Sequence, residues 1–275
     1  MTTAESTTDP RAEGIRSRWQ RWRVDREAAL LAPDGPLAFT ALQWITDGWA
    51  VFDGVPGTWR VDGTGESAAV LLDARAADGL EFEGETVDGT LALAAHEGGP
   101  GLRVRDGERL LEVIRRSGRF AVRVLDPDSR GRIEFDGVPV FEPSDRWIVP
   151  ACFHPFDDVR TVVTGAVIDG LEHHHRAVGV LRFAVHGDDH TLVAFAGPER
   201  TLRVLFTDRT SGVTTYPSAR LLAVPAPGDD GTTVLDFTRA ANLPCAFTAY
   251  ATCPIAPAEN RLPFAVEAGE KDPAR

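Results

Sequence analysis

Between residues 39 and 237 the chain is cut into short apolar runs by turn signals that recur throughout. Asp53-Gly54, Asp62-Gly63, Asp88-Gly89, Asp106-Gly107 and Asp136-Gly137 combine two residue types that accept left-handed backbone. Gly187-Asp188, Gly197-Pro198 and Gly228-Asp229-Asp230-Gly231 continue the punctuation in the second half. Between them, runs such as Leu102-Arg-Val-Arg alternate apolar and polar side chains, the period of a half-buried antiparallel strand. In the second half the pattern predicts strands at 178–186, 191–196, 201–207, 214–224 and 233–237. No amphipathic helices alternate with these runs, which argues against a parallel α/β sheet. The expected fold is all-β and mainly antiparallel, a barrel or a two-layer sandwich.

Two segments depart from this pattern. Residues 11–31 space Ile15, Trp19, Trp22, Arg26 and Leu30 at helical intervals, and Pro33 and Gly35 end the run. This predicts one N-terminal amphipathic helix, packed by its tryptophans on the domain body rather than on a membrane. From Asn242 onward the chain becomes a Pro-rich irregular ribbon, expected to be functional or to lie down as an ordered cover. Residues 1–10 read as a disordered polar tail without a signal-peptide core, and 11–275 as a single β-rich domain. That domain divides into halves of about 11–150 and 151–275, joined near 143–160.

Charge narrows the function classes. The chain has 41 acidic against 29 basic residues, a net charge of −12, which disfavours nucleic acid and anionic membranes as partners. Lys271 is its only lysine, so Schiff-base, pyridoxal-phosphate and P-loop chemistry are removed unless that residue serves. No Gly-x-Gly-x-x-Gly or Gly-x-Ser-x-Gly motif appears, and no cofactor is expected. Cys152, Cys245 and Cys253 read as thiols of a reducing, cytoplasmic compartment. A turn could bring Cys245 and Cys253 together, but their spacing is not that of a zinc knuckle. His173, His174 and His175 raise a metal reading, since on a strand the outer two share a face and His186 or His190 could complete a site. The triplet lies in a polar, turn-like stretch, however, so exposed histidines and no metal site are the expectation.

Residues 232–271, TTVLDFTRAANLPCAFTAYATCPIAPAENRLPFAVEAGEK, with FTDRTSGVTTYPSARLL at 206–222, carry a resemblance. So do FTALQWITDGW at 39–49 and RSGRFAVRVLDPDSRGRIEFDGVPVF at 116–141. In these segments the chain resembles an uncharacterised bacterial family, the domain of unknown function numbered 1684. The resemblance implies no established activity. It matches at Asp236, Arg239, Asn242, Pro244, Cys245, Cys253, Pro254, Asn260, Arg261 and Glu270. The chain departs from it at Thr238, Ala241 and Leu243, where Asn, Tyr and Pro are usual.

The candidate site combines this motif with the preceding hairpin. Arg220 and Arg261 are the candidate anion-binding forks, with Tyr216, Asn242, Asn260 and Asp208 as further ligand contacts. Asp236 and Glu270 are the candidate acid–base residues. The expected function is binding of a small anionic ligand in a pocket closed by the motif, with metal-free acid–base catalysis if chemistry follows. The alternative is a structural or protein-interaction module without catalysis, in which the same residues brace the ribbon.

Overall fold

The computed structural model describes residues 10–274, with side chains from Gly14. Apart from Pro10, the tail expected at 1–10 lies outside the described residues. Ten strands build the first half: β1 (Phe39–Ile45), β2 (Ala50–Phe52), β3 (Val55–Asp62), β4 (Ala69–Ala74), β5 (Leu80–Phe82), β6 (Glu85–Thr86), β7 (Gly89–Leu93), β8 (Leu102–Asp106), β9 (Arg109–Arg116) and β10 (Arg119–Leu125). They form two sheets, β1-β10-β9-β8-β5-β6 and β2-β3-β4-β7. One buried cluster joins them, with Trp59, Leu72 and Leu93 from the smaller sheet meeting Leu111, Val113 and Val122 from the larger. The hairpin β9–β10 turns at Ser117-Gly118, where both φ angles are positive (52° and 73°) and Arg116 pairs with Arg119. That is the two-residue turn whose twist matches the strands it joins.

The second half is one antiparallel sheet of seven strands: β11 (Ile148–Gly165), β12 (Glu172–Val185), β13 (Asp188–Ala196), β14 (Leu202–Phe206), β15 (Arg220–Val224), β16 (Thr232–Asp236) and β17 (Ala241–Asn242). Their order is β16-β11-β12-β13-β14-β15-β17, and the edge strands β16 and β17 do not pair with each other. The sheets are therefore open and layered rather than closed into a barrel. Alternate residues face opposite ways, and both faces are covered. Leu192, Ala194, Val204, Phe206 and Leu222 pack under ribbon residues Leu262, Val266 and Ala268. Val193, Phe195, Leu205 and Leu221 pack under Leu243, Ala251 and Cys253. Two covered faces let β13 and β14 carry apolar side chains on both.

Two elements differ from the sequence expectation. Strand β11 runs through the segment expected to be a junction, because its pairing with β12 breaks register between Pro155 and Arg160. Its outer part is largely exposed, so no alternation marks it. Residues 214–219, expected to open a strand, instead belong to a turn in which the Thr210 carbonyl accepts from the backbone N–H groups of Val213, Thr214 and Thr215.

The N-terminal helix (Pro10–Leu31) docks on the ribbon of the second half. Trp19 is buried and its indole N–H donates to the Thr238 carbonyl (3.0 Å). Leu30 packs with Leu37 and Val138. Lys271 holds its ammonium 4.7 Å from the Phe141 ring centroid, and its backbone N–H donates to Pro139. It is anchored because the ribbon lies against the loop at 138–141. Among the described residues no helix is long and apolar enough to cross a membrane.

Candidate functional site

Four of the sequence-selected residues meet in one buried network. Arg220, 1% exposed at the start of β15, pairs with Asp208 (Nη2–Oδ2, 2.7 Å). Its Nη1 donates to the Ala268 and Glu270 carbonyls and its Nη2 to the Val266 carbonyl. Asp208 Oδ1 accepts from the Thr210 N–H and hydroxyl and from the Val266 N–H (3.1 Å). Glu270, also 1% exposed, accepts from Arg26 Nε (2.8 Å) on the helix and from the Asn242 N–H (2.6 Å). Asn242 Nδ2 reaches the Lys271 carbonyl. A ribbon without ladder partners needs side chains for its backbone groups, and these residues supply them. Arg26 belongs to the network too, although the sequence marked it only as a helix position.

The other candidates lie apart. Asn260, fully buried, bridges Val193 of β13 and Leu205 of β14. Asp236 accepts from the Thr238 N–H and hydroxyl and pairs with Arg239 (3.1 Å). Arg261 is exposed, and Tyr216 sits half-buried beside Cys245. The expected convergence of Asp236, Arg220, Arg261 and Glu270 on one concave surface is thus not what the fold builds. Arg220 and Glu270 turn inward, while Asp236 and Arg261 stand elsewhere.

A cavity of about 620 Å³ opens where the two halves meet. Strand β12 begins at Glu172, but its pairing with β13 begins only at Ala177, so residues 172–176 have β11 on one side and open space on the other. His173 and His175 share the face that holds Phe195, Leu205, Leu221 and Leu243, which form an apolar floor. Arg116 of β10's hairpin, Arg176 and Arg203 line the same cavity with Glu97 and Glu172. Glu97 is engaged by the Ser117 and Gly118 N–H groups and Arg115, whereas Glu172 is exposed, its carboxylate 3.9 Å from His174 Nε2. None of the three arginines forms an ion pair with a carboxylate among the described residues. Arg116 donates to the Gly99 and Arg115 carbonyls, and burial and then the Arg123 charge pull its pKa down.

The histidine expectation needs correction. The triplet is on a strand, and His173 and His175 are half-buried, because they point under the ribbon rather than into solvent. His173 Nε2 donates to the Thr252 carbonyl (2.6 Å), which leaves Nδ1 as an acceptor. His175 stacks on Phe195 (ring centroids 4.7 Å, 28°), with Nε2 3.0 Å from the Thr164 hydroxyl. His186 lies in the turn at the far end of β12, too distant to join them. No group of three or more metal-type side chains is assembled among the described residues. Burial lowers the pKa of His173, and burial followed by the His173 and Arg203 charges pushes His175 down to about 4. The unfolded chain therefore takes up a proton at His175 below about pH 6.5 that the folded chain refuses until about pH 4. Stability supplied by this group is complete above that window and is lost as pH falls through it. Because the ring is only half-buried, the effect is discounted to on the order of 1–2 kcal/mol. His175→Phe is expected to flatten the stability curve between pH 6.5 and 4 in urea titrations, and an unchanged slope would contradict this.

The fold and its buried braces define an antiparallel β protein whose C-terminal ribbon covers both faces of its larger sheet. The chain belongs to the family described as Protein of unknown function (DUF1684), whose profile matches residues 133–271. The match contains the larger sheet and the ribbon motif; the similar segment at 39–49 lies outside it. A solved structure, the solution NMR structure of an uncharacterized protein from Haloarcula marismortui, is 31% identical to this chain. That likeness covers 51% of this chain and 78% of the other, with a TM-score of 0.43. No curated protein matches the chain.

Proposed function

We propose that the cavity between the two halves binds a small anionic ligand carrying an apolar portion. The observation that carries this reading is that Arg116, Arg176 and Arg203, none of them in a salt bridge, line a cavity with an apolar floor, in a chain whose net charge is −12. Arg116 stays charged where burial and Arg123 oppose its charge, and an incoming carboxylate or phosphate relieves that cost. The floor of Phe195, Leu205, Leu221 and Leu243 suits a short aliphatic chain or a ring. Leu243 and Pro254 come from the ribbon motif, so the ribbon closes the pocket as a wall, and its buried carboxylates hold that wall. In this reading Asp236 and Glu270 brace rather than transfer protons, and neutral His173 is the proton acceptor at hand.

The same brace network also suits a purely structural module, and one experiment separates the two. Thermal unfolding is followed with benzoate, hexanoate and phenylphosphate, with benzamide as the uncharged control. At least one anion is expected to raise the melting temperature of the wild type while benzamide does not. Arg203→Ala, which removes an exposed side chain, is expected to weaken that binding about tenfold or more. No shift with any anion, or an equal shift in the variant, favours the structural module.

A further inference from the structure

Cys245 and Cys253 lie on opposite sides of a short ribbon excursion and meet at its neck. The Cys245 backbone N–H donates to Cys253 Sγ at 3.3 Å, and both are free thiols. Their surroundings differ. Cys245 is partly exposed, whereas Cys253 is buried in the cluster with Phe195, Ala219 and Leu243. Tyr216 stands beside Cys245 from the hairpin turn. The brace network uses none of these three side chains.

We propose that Cys245 and Cys253 form a thiol pair that a hydroperoxide oxidises to a disulfide, with Cys245 attacking and Cys253 resolving. In the first step the Cys245 thiolate attacks one peroxide oxygen and the O–O bond breaks. Cys245 becomes a sulfenic acid, and the leaving alkoxide or hydroxide takes a proton to give an alcohol or water. In the second step the Cys253 sulfur attacks the Cys245 sulfur and the S–O bond breaks. The hydroxide released takes the Cys253 proton as water. Two electrons from two thiols thus reduce one hydroperoxide.

The asymmetry of the pair supports this order. Hydrogen bonds from the Cys253 thiol and the Tyr216 hydroxyl hold Cys245 below the usual thiol range. The bond to Cys245, then burial, then the Cys245 charge hold Cys253 above it. Oxidation of Cys245 to a neutral sulfenic acid removes that charge and eases ionisation of the resolving thiol, whose burial is unchanged. Leu243 and Pro254, which flank the pair, line the cavity, so a bond between the cysteines draws on its wall. The thiol chemistry itself stands whether or not the cavity takes a ligand.

The test treats the full chain with equimolar hydrogen peroxide near neutral pH and maps non-reduced peptides by mass spectrometry. A cross-link between the peptides containing Cys245 and Cys253 is expected. In Cys253→Ser the product is expected to stop as a sulfenic acid on Cys245 that dimedone traps. In Cys245→Ser, oxidation of Cys253 is expected to slow about tenfold or more. Wild-type alkylation by iodoacetamide gives a readout that needs no variant, with Cys245 expected to react faster than Cys152 and Cys253. Equal alkylation rates, or peroxide oxidation of Cys152 as fast as that of Cys245, would overturn the proposal.

Discussion

Asp208→Ala is expected to lower the unfolding free energy by about 3–5 kcal/mol, the cost of leaving a buried charge without its partner. Arg220 is 1% exposed and the Asp208 side chain fully buried, so no water replaces the carboxylate. The substitution also strands the Thr210 N–H and hydroxyl and the Val266 N–H, which Asp208 Oδ1 accepts. Asp208→Asn keeps the volume but loses the charge, and is expected to fall between the wild type and the alanine variant. The double variant Asp208→Leu/Arg220→Met tests what the pair is for. Buried ion pairs can often be replaced by apolar side chains without loss. Here the carbonyls of Val266, Ala268 and Glu270 would still lack donors, so the double variant should stay well below wild type. Urea unfolding followed by circular dichroism measures all three. Recovery of wild-type stability in the double variant would refute the bracing role.

Asn260→Ala is the second large effect, about 2–4 kcal/mol from three lost buried hydrogen bonds. Strands β13 and β14 pair only at Phe195↔Arg203 and Ala196↔Leu202. Continuing that register would bring Val193 opposite Leu205, but the strands have separated there. The Asn260 amide enters the gap, with Oδ1 accepting from the Val193 N–H (2.7 Å) and Nδ2 donating to the Val193 and Leu205 carbonyls (3.0 and 2.8 Å). It reproduces with a side chain the bonds that a continued ladder would have made. Asn260→Asp is expected to be at least as damaging at neutral pH, because the oxygen replacing Nδ2 would face two carbonyl oxygens. Hydrogen exchange at the Val193 amide reports the break locally, and unchanged protection in the alanine variant would count against this account.

Much of the fold was legible in the chain because its determinants are local. The alternation along β8 and the helical spacing of Trp19 and Leu30 each depend on neighbours a few residues away. Strand β11 escaped notice because a register break and solvent exposure remove the alternation that marks a strand. The burial of the histidine triplet is hidden from the sequence for a related reason. Its residues are polar, and the ribbon that half-buries His173 comes from Thr252, far along the chain. Of the candidate site, the residue types were legible but their roles were not. Asp208, Arg220, Asn242 and Glu270 do share one network, whereas the cavity takes its arginines from positions 116, 176 and 203, which no motif connects.

The sequence by itself determined an antiparallel β protein with one docked helix, a ribbon that must find side-chain partners, and arginine as its main cation. These follow from backbone preferences and composition, which act over short stretches. Tertiary structure alone decided which arginines brace the ribbon and which line the cavity. Arg220 and Arg26 are spent on the carbonyls and carboxylates of the ribbon, while Arg116, Arg176 and Arg203 are left at the junction of the two halves. Burial set that division, since a charge drawn under the ribbon must be paired, whereas Arg176 and Arg203 stay exposed and Arg116 needs only the Gly99 and Arg115 carbonyls.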